Sequence, residues 1–474
     1  MLASPLGPRP PGQEARSGVN VLRRRILNPG WPITLLLVGF PVLWAIGLGG
    51  FAAQILAVPM AIELLRRRPI RVPKGFGIWL MFLLCSAVGI FALGVNPTGT
   101  LPDTATGRLI GFGTRQSTYL AATIMLLYIG NLTAAELSDR RMVKLLSWSF
   151  VIVAIGGVLG LLWPYASFTS LFELFLPAGI RSNSFVERLV HPSFAQVQAI
   201  GGEDVPRPSA PYAYTNTWGS QISLFGIWFV VGWLILFRGW QRVLGAAVLG
   251  VGIVTVVYSV NRGVWIGILL GVTFVALVLA LRGRTLLLGG MVISLTLAGA
   301  VFLNSPLRQV LDQRLADGHS NGVRAFTSQR AFELSKHSPV IGFGSTRSAV
   351  GSKSSIAIGK SPQCPNCGNI PIGINGTFFT LVVTTGYAGT LLFFLFLADQ
   401  AWRSRRDRDV IGVACRLTLV TSVFYCFFYS ISFVVPFVAL AIMWRRRMSA
   451  RSEFSKSGLK GDEPMVAHSV LGVR

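Results

Sequence analysis

The chain has 474 residues, of which 52% are hydrophobic and only 13% charged, with 43 Lys and Arg against 18 Asp and Glu. In a soluble protein, a net charge of +25 would suggest nucleic-acid binding. Here most basic residues stand in short tracts beside apolar runs long enough to cross a bilayer, so we interpret the tracts as topology signals and expect no nucleic-acid partner. The composition predicts an all-α polytopic membrane protein.

The N-terminal part of the chain predicts a disordered cytoplasmic segment followed by transmembrane helices. Residues 1–30 are rich in Pro, Gly and Arg, and residues 31–163 contain the first group of apolar runs. Trp31–Leu65 is too long for one crossing and has arginine tracts on both sides, which predicts a hairpin. Asn96–Ser117 is expected to be a loop, and Tyr119–Leu132 a short returning helix.

The middle of the chain predicts a polar loop and then more crossings. Residues 164–216 form an expected extracytoplasmic loop, and residues 217–303 the central transmembrane helices. Val243–Leu281 is again double length and bracketed by arginines. It predicts a hairpin whose turn lies at Ser259–Gly263.

The C-terminal part begins with the longest polar segment, residues 304–375, which carries eight Lys and Arg against three Asp and Glu, a net of +5. We expect a large helical extracytoplasmic loop, with one helix after Ser305-Pro306 and another near Val323–Lys336. Residues 376–444 are the C-terminal transmembrane helices, and residues 445–474 a cytoplasmic tail. Within the former, Val410–Trp444 is again double length and predicts a hairpin that turns near Tyr429–Ser432. The prediction is about twelve crossings of the inner or plasma membrane, with both termini in the cytoplasm.

Cys364 and Cys367 form a single CxxC motif in the large loop. A lone pair of this kind is a poor zinc site, and an extracytoplasmic position favours a small structural disulfide. No group of His, Cys, Asp or Glu has convincing metal-ligand spacing, so we expect neither a metal nor a cofactor.

Arginine is the residue type that most clearly suggests chemistry here. Arg262 is the only charged residue in a 39-residue apolar run, and polar Ser259 and Asn261 stand beside it. A charge at that position is costly unless it faces a cavity or a partner, although an anchor to lipid headgroups is the structural alternative. Arg207 and Arg330 are expected at the same membrane surface. Guanidinium groups bind phosphate oxygens in a bidentate manner, so these residues are candidates for an anionic substrate.

Five stretches in this order carry a family resemblance: Arg207–Asn216, Ser259–Trp265, Ala331–Gly344, Asn375–Phe379 and Thr385–Gly389. Together they resemble the O-antigen ligase and O-antigen polymerase superfamily of integral membrane glycosyltransferases. The resemblance covers roughly residues 200–395, and the N-terminal part adds only compatible hydropathy. It implies a GT-C-like helical fold with an extracytoplasmic active site.

The resemblance also implies a reaction, the transfer of glycan from a polyprenyl-diphosphate carrier to an acceptor hydroxyl in cell-envelope polysaccharide assembly. Arginines matching Arg207 and Arg262 grip the diphosphate of the donor in that family, so no metal is required. Other envelope polysaccharide assembly proteins are expected partners. Ligases of the family have a histidine eleven residues before the glycine that matches Gly386, but this chain has Asn375 there. Asparagine cannot act as a general base, which leaves a polymerase, or a base elsewhere, more open. Asn375 is instead a candidate for substrate binding.

Several residues could replace that base. His337 lies in a matched motif and is the first catalytic candidate, although a helix C-terminal cation is its structural alternative. Other candidates are His191, His319, Glu173 and Glu187. The rival function is a transporter or flippase for an envelope lipid or glycan, which would place its ionisable residues near the bilayer midplane.

Overall fold

The structure is a computed structural model that describes residues 28–181, 184–200, 203–304, 308, 319–350 and 369–459. It is mostly helical, at 71%. Among these residues, sheet is limited to two antiparallel hairpins of two strands each. The prediction of a helical membrane architecture is confirmed at this level.

The first six helices build the N-terminal part of the bundle: α1 (Trp31–Leu37), α2 (Phe40–Ala45), α3 (Ala52–Leu65), α4 (Phe76–Val88), α5 (Ala105–Asn131) and α6 (Asp139–Leu162). The hairpin predicted over the first apolar run is present. Its first half is broken into α1 and α2, and α3 packs back against α1 and against α5.

The predicted loop Asn96–Ser117 is wrong over more than half of its length. Helix α5 has 27 residues and includes the second half of that stretch, so the short helix predicted from Tyr119 is only its C-terminal part. Two polar contacts stabilise the beginning of α5 at Ala105, before the predicted start at Tyr119. Thr104 caps it by accepting the N–H of Gly107 at 3.0 Å, and the buried Arg108 donates to the carbonyl of Leu93 at 2.7 Å.

The middle of the chain contains short elements and then four long helices: α7 (Leu171–Leu174), α8 (Ala178–Arg181), α9 (Ser184–Val190), β1 (Ala195–Ile200), β2 (Glu203–Pro208), α10 (Thr215–Phe229), α11 (Trp240–Tyr258), α12 (Arg262–Leu281) and α13 (Thr285–Leu303). Strands β1 and β2 pair so that Gln196 lies opposite Arg207. Helix α10 continues as a π-helical turn over Val230–Leu236. The predicted hairpin Val243–Leu281 is confirmed, and its turn falls at the predicted position between α11 and α12.

The C-terminal part contains α14 (His319–Ser335), β3 (Arg347–Val350), β4 (Asn369–Ile372), α15 (Thr377–Arg403), α16 (Val410–Cys426) and α17 (Val434–Leu459). The helix predicted near Val323–Lys336 is confirmed as α14. The helix predicted after Ser305-Pro306 lies mainly outside the described residues. Helix α17 continues past Arg445–Arg447, so the predicted tail begins as a helix.

Helix α15 is broken at Gly386, which has φ +65° and ψ −173°. A break inside an apolar helix leaves backbone carbonyls without their usual partners, and burial without a partner is costly. The segment after α14 supplies the missing donors. Phe343 N–H donates to the carbonyl of Val383 and Gly344 N–H to that of Thr384, both at 2.9 Å.

Glycine is required on both sides of this contact. A Cβ at Gly386 would lie 2.4 Å from the carbonyl oxygen of Val340, and one at Gly342 would lie 2.5 Å from the backbone nitrogen of Gly386. Both glycines also have φ +65°, which is unfavourable for other residues. Two of the stretches that carried the family resemblance therefore form one backbone-to-backbone contact.

The core of the bundle is aromatic. Trp79 on α4 lies with its ring centre 4.8 to 6.0 Å from those of Phe82, Phe393, Phe396 and Phe437, and all five side chains are fully buried. These rings join α4, α15 and α17. Because lipid is as apolar as the core, close packing of this kind, more than burial from water, holds such helices together.

The basic tracts predicted to be cytoplasmic meet acidic partners at one end of the bundle. Arg67 after α3 pairs with Glu136 at 2.7 Å, and Arg446 pairs with Asp139 at 3.0 Å and with Asp409 at 2.8 Å. Successive crossings are predicted to run in opposite directions, which brings these basic tracts to the same end of the bundle. The polar segments of the candidate site lie at the other end.

Five helices of the described residues are long and apolar enough to cross a membrane: Asp139–Leu162, Thr215–Leu236, Trp240–Tyr258, Arg262–Leu281 and Thr377–Arg403. Four further apolar helices are shorter. Apolar side chains of α12 and α13 are widely exposed, as lipid contact would require.

Candidate functional site

Arg207 on β2 is buried, with 7% of its surface exposed, and its Nε donates to the carbonyl oxygen of Ser259 at 2.8 Å. That carbonyl lies at the turn between α11 and α12. The turn contains Val260 with φ +54°, a conformation that is strained for a β-branched residue. Such strain persists only where the surroundings enforce it, and it is frequent at functional sites. The bond thus joins Arg207 to Ser259, which stands three positions before Arg262 in the chain.

Helix α12 begins at this turn. Arg262 is its first residue and is half-buried, and Asn261 is its N-cap. The Asn261 amide donates to Oδ1 of Asn216 at 3.2 Å, which joins the N-terminus of α12 to that of α10. Helix N-termini carry partial positive charge, so two of them now lie beside two arginines.

Tyr429, in the loop between α16 and α17, completes this cluster. Its hydroxyl donates to Oδ1 of Asn261, and its oxygen lies at the first turn of α12, close to the backbone of Gly263. A Cβ at Gly263 would lie 2.2 Å from the tyrosine oxygen, so only glycine allows this approach. Tyr429 therefore holds Asn261, the N-cap residue of α12, from another segment.

The electrostatics of Tyr429 show which charges lie near it. Burial raises the pKa of its phenol to about 12, while the positive charges of Arg324 and Arg207 act in the opposite direction. Arg324 on α14 also donates to the carbonyl of Phe428, the residue before Tyr429, at 3.4 Å. The phenol is therefore neutral at physiological pH and lies near two arginines from different segments.

Asn375 fixes α14 in place. Its amide donates to the carbonyl of Arg324 at 2.9 Å and to the hydroxyls of Thr327 and Ser328 at 2.5 and 2.9 Å. Its contacts are therefore structural, and they position Arg324. A substrate-binding role for Asn375 itself stays a prediction.

The other predicted site residues have different surroundings. Arg330 is exposed and pairs with Glu333 at 2.9 Å, so α14 directs Arg324, rather than Arg330, toward the cluster. His337 is exposed, and its Nε2 lies 3.3 Å from the hydroxyl of Thr98. The hydroxyl of Ser259 donates to the carbonyl of Val256, so Ser259 meets Arg207 through its backbone.

A cavity of about 250 Å³ lies at the N-terminus of α10, where its lining includes Tyr214 and Thr217 on either side of Asn216, the residue bonded to Asn261. Its walls include Phe40, Trp44, Tyr212, Tyr214 and Phe433, with Arg188 and His191 among its polar residues. The Arg188 guanidinium lies 5.9 Å from the centre of the Tyr214 ring. Burial raises the pKa of Tyr214, and the charge of Arg188 acts against this. Concave, mostly apolar sites with a few polar groups are typical of small-molecule binding.

Sequence inspection missed Tyr429 and did not single out Arg324. Tyr429 gave no signal except its position at a predicted turn, and Arg324 was one of several basic residues in a polar segment. Among the described residues, no group of three or more His, Cys, Asp or Glu could hold a metal ion. Cys364 and Cys367, with their predicted disulfide, lie outside the described residues.

Comparisons of the chain with protein families, with curated proteins and with solved structures gave no match. The candidate site is therefore defined by its own geometry. That geometry is an electropositive cluster at one end of a helical membrane bundle, built from Arg207, Arg262, Arg324, Asn261 and Tyr429.

Proposed function

We propose that this chain is a membrane glycosyltransferase of the O-antigen polymerase or ligase type. It transfers glycan from a polyprenyl-diphosphate carrier to an acceptor hydroxyl during assembly of an envelope polysaccharide. In this proposal the chain crosses the membrane about twelve times in a GT-C-like arrangement, and the arginine cluster faces away from the cytoplasm.

One observation carries the proposal: three arginines from separate segments lie at the N-terminal end of α12. Arg207 bonds to the turn before α12, Arg262 is the first residue of α12, and Arg324 bonds to Phe428, next to Tyr429. A diphosphate carries negative charge, and planar guanidinium groups match the geometry of its oxygens. The N-termini of α10 and α12, joined by Asn216 and Asn261, add partial positive charge at the same place.

The chemistry that follows is stabilisation of a leaving group. When the bond between the anomeric carbon and the phosphate oxygen breaks, charge grows on the diphosphate. Fixed cations and helix dipoles that are oriented before the reaction stabilise this charge without reorganising. Tyr429 and Asn261 keep the N-terminus of α12 in place, and the bond from Arg207 to Ser259 fixes one guanidinium relative to another.

The glycan profile of a deletion strain tests the proposal. A polymerase predicts short chains, and a ligase predicts full-length chains that are not attached to their acceptor. A transporter or flippase instead predicts lipid-linked glycan confined to the cytoplasmic leaflet. An unchanged profile contradicts all of these functions.

A further inference from the structure

A buried carboxylate and a histidine form a pair at the cavity beside the arginine cluster. Nδ1 of His191 lies 2.9 Å from Oε2 of Glu173, whose side chain is only 9% exposed. Glu173 is fixed in turn by Ser170, because the Ser170 hydroxyl accepts the Glu173 N–H at 3.2 Å and the carboxylate accepts the Ser170 N–H at 3.4 Å. This reciprocal cap at the start of α7 restrains the carboxylate before it meets the histidine.

The pair determines which histidine nitrogen can accept a proton. An ionised carboxylate only accepts hydrogen bonds, so Nδ1 carries the proton that it shares with Glu173. In the neutral ring, Nε2 is then the acceptor. His191 keeps 28% of its side chain exposed and lines the cavity of about 250 Å³.

Two segments of the chain contribute residues to both the cavity lining and the arginine cluster. Tyr214 and Thr217 line the cavity, and Asn216 between them accepts the hydrogen bond from Asn261 in the cluster. Phe433 also lines the cavity, four residues after Tyr429. A molecule in the cavity therefore lies beside the segments that hold the proposed diphosphate site.

We propose that His191 is the general base of the transfer and that Glu173 is its positioning residue, an inference that rests on the proposed function. The acceptor hydroxyl lies in the cavity and gives its proton to Nε2 of His191. Its oxygen forms a bond to the anomeric carbon of the donor, and the bond to the phosphate oxygen breaks with its electron pair leaving on the diphosphate. Glu173 balances the charge of the imidazolium, as a carboxylate does behind a catalytic histidine in other enzymes.

Other candidate bases have less suitable positions. Glu187 is exposed on α9, and His337 contacts Thr98. The side chain of His319 lies outside the described residues. Among these candidates, only His191 is a cavity-lining residue whose nitrogen is oriented by a buried carboxylate.

The test uses purified full-length protein in nanodiscs, with the lipid-linked glycan accumulated by a deletion strain as donor. His191→Ala should lower the transfer rate by at least about 100-fold, the usual contribution of a general base. Added imidazole, which fits the space left beside the cavity, should restore several-fold activity to this variant only. Glu173→Gln should lower the rate and Glu173→Asp should recover part of it, whereas the matched carboxylate change Glu187→Gln should have no effect.

Binding of glycan-free polyprenyl diphosphate, followed by thermal shift, separates catalysis from folding. The histidine variants should melt near the wild-type temperature and still bind this probe. Wild-type transfer by His191→Ala, while Arg262→Ala is inactive, would overturn the base assignment and leave the proposed function intact. Loss of probe binding with a lowered melting temperature in both His191→Ala and His191→Gln would make the pair structural and also overturn it. If the wild-type protein neither binds the probe nor transfers glycan, both proposals fail.

Discussion

At the scale of single residues, the site depends on contacts between backbone and side chain that only a few residue types allow. The Ser259 carbonyl is directed to Arg207 by a turn that places Val260 at φ +54°. Strain of this kind costs about 1–3 kcal/mol and must be offset by surrounding contacts. The bond from Arg207 to Ser259 and the bond from Tyr429 to Asn261 are two of the contacts that offset this strain.

Tyr429→Phe tests the role of the tyrosine hydroxyl. The change removes the bond to Asn261, so the N-terminus of α12 should be less well positioned for the reaction. We expect a loss of about 1–2 kcal/mol in transition-state stabilisation, roughly a 5- to 30-fold lower transfer rate, with little loss of protein. Burial raises the pKa of this phenol to about 12, so it stays protonated and the defect should be the same at pH 7 and pH 9.

Tyr425→Phe is the matched control for this change. Its hydroxyl bonds to Oγ of Ser223 at 2.7 Å and lies against Gly267, one turn along α12 from Gly263. Tyr425→Phe should lower the melting temperature by about as much as Tyr429→Phe, but its transfer rate should equal that of the wild type. Equal rates for both variants and the wild type would remove Tyr429 from the site.

At the scale of elements, the broken helix α15 explains why glycines recur in two distant motifs. The break at Gly386 opens carbonyls that the segment before β3 satisfies through Phe343 and Gly344. Because α14 directly precedes this segment, the same contact places the helix that carries Arg324. The position of Arg324 therefore depends on the break in α15 and on the backbone contact that the break allows.

Gly386→Ala should disrupt this contact. The new Cβ would lie 2.4 Å from a backbone oxygen at a position with φ +65°, so a loss of about 2–6 kcal/mol is expected, seen as a lower melting temperature and less folded protein. Gly289→Ala on α13 is the control. A Cβ there meets nothing within 4 Å, and alanine favours a helix, so no loss is expected. Equal stability of the two variants would show that α15 can straighten at this point.

The sequence predicted long elements well and the contacts between them poorly. Hydropathy and bracketing arginines located the hairpins of α11 with α12 and of α16 with α17, because such patterns depend only on local composition. The first half of helix α5 was predicted to be a loop, because it is rich in Gly and Thr. The bond from Arg108 to the carbonyl of Leu93, which stabilises the helix there, leaves no signal in the local sequence. Partners that meet across more than a hundred residues, such as Asn261 and Tyr429, leave no local signal.

At the scale of the whole molecule, the two ends of the bundle have different chemistry. One end has paired charges, including Arg446 with Asp139 and Asp409, and the other has the arginine cluster. The prediction that basic tracts mark the cytoplasmic side places the cluster outside the cytoplasm. An acceptor hydroxyl and a lipid-linked donor would both reach it there.

Single cysteines in a background without native cysteine test this orientation. Gln329→Cys on α14 and Arg405→Cys after α15 are both exposed positions at opposite ends. We expect a membrane-impermeant maleimide to label position 329 in intact cells and position 405 only after permeabilisation. The reverse pattern would place the cluster in the cytoplasm, and labelling of both from one side would contradict the fold's two-ended organisation.

In the proposed function Arg262 holds the diphosphate of a lipid-linked donor. The transfer rates of Arg262→Lys and Arg262→Ala in purified protein test this role. Lysine keeps the charge and loses the planar pair of donors, so both variants should lose about 2–4 kcal/mol of transition-state stabilisation, roughly 30- to 1000-fold in rate, at near-normal protein levels. A wild-type rate in Arg262→Ala, or full activity in Arg262→Lys, would contradict this role and leave Arg262 as an interfacial anchor.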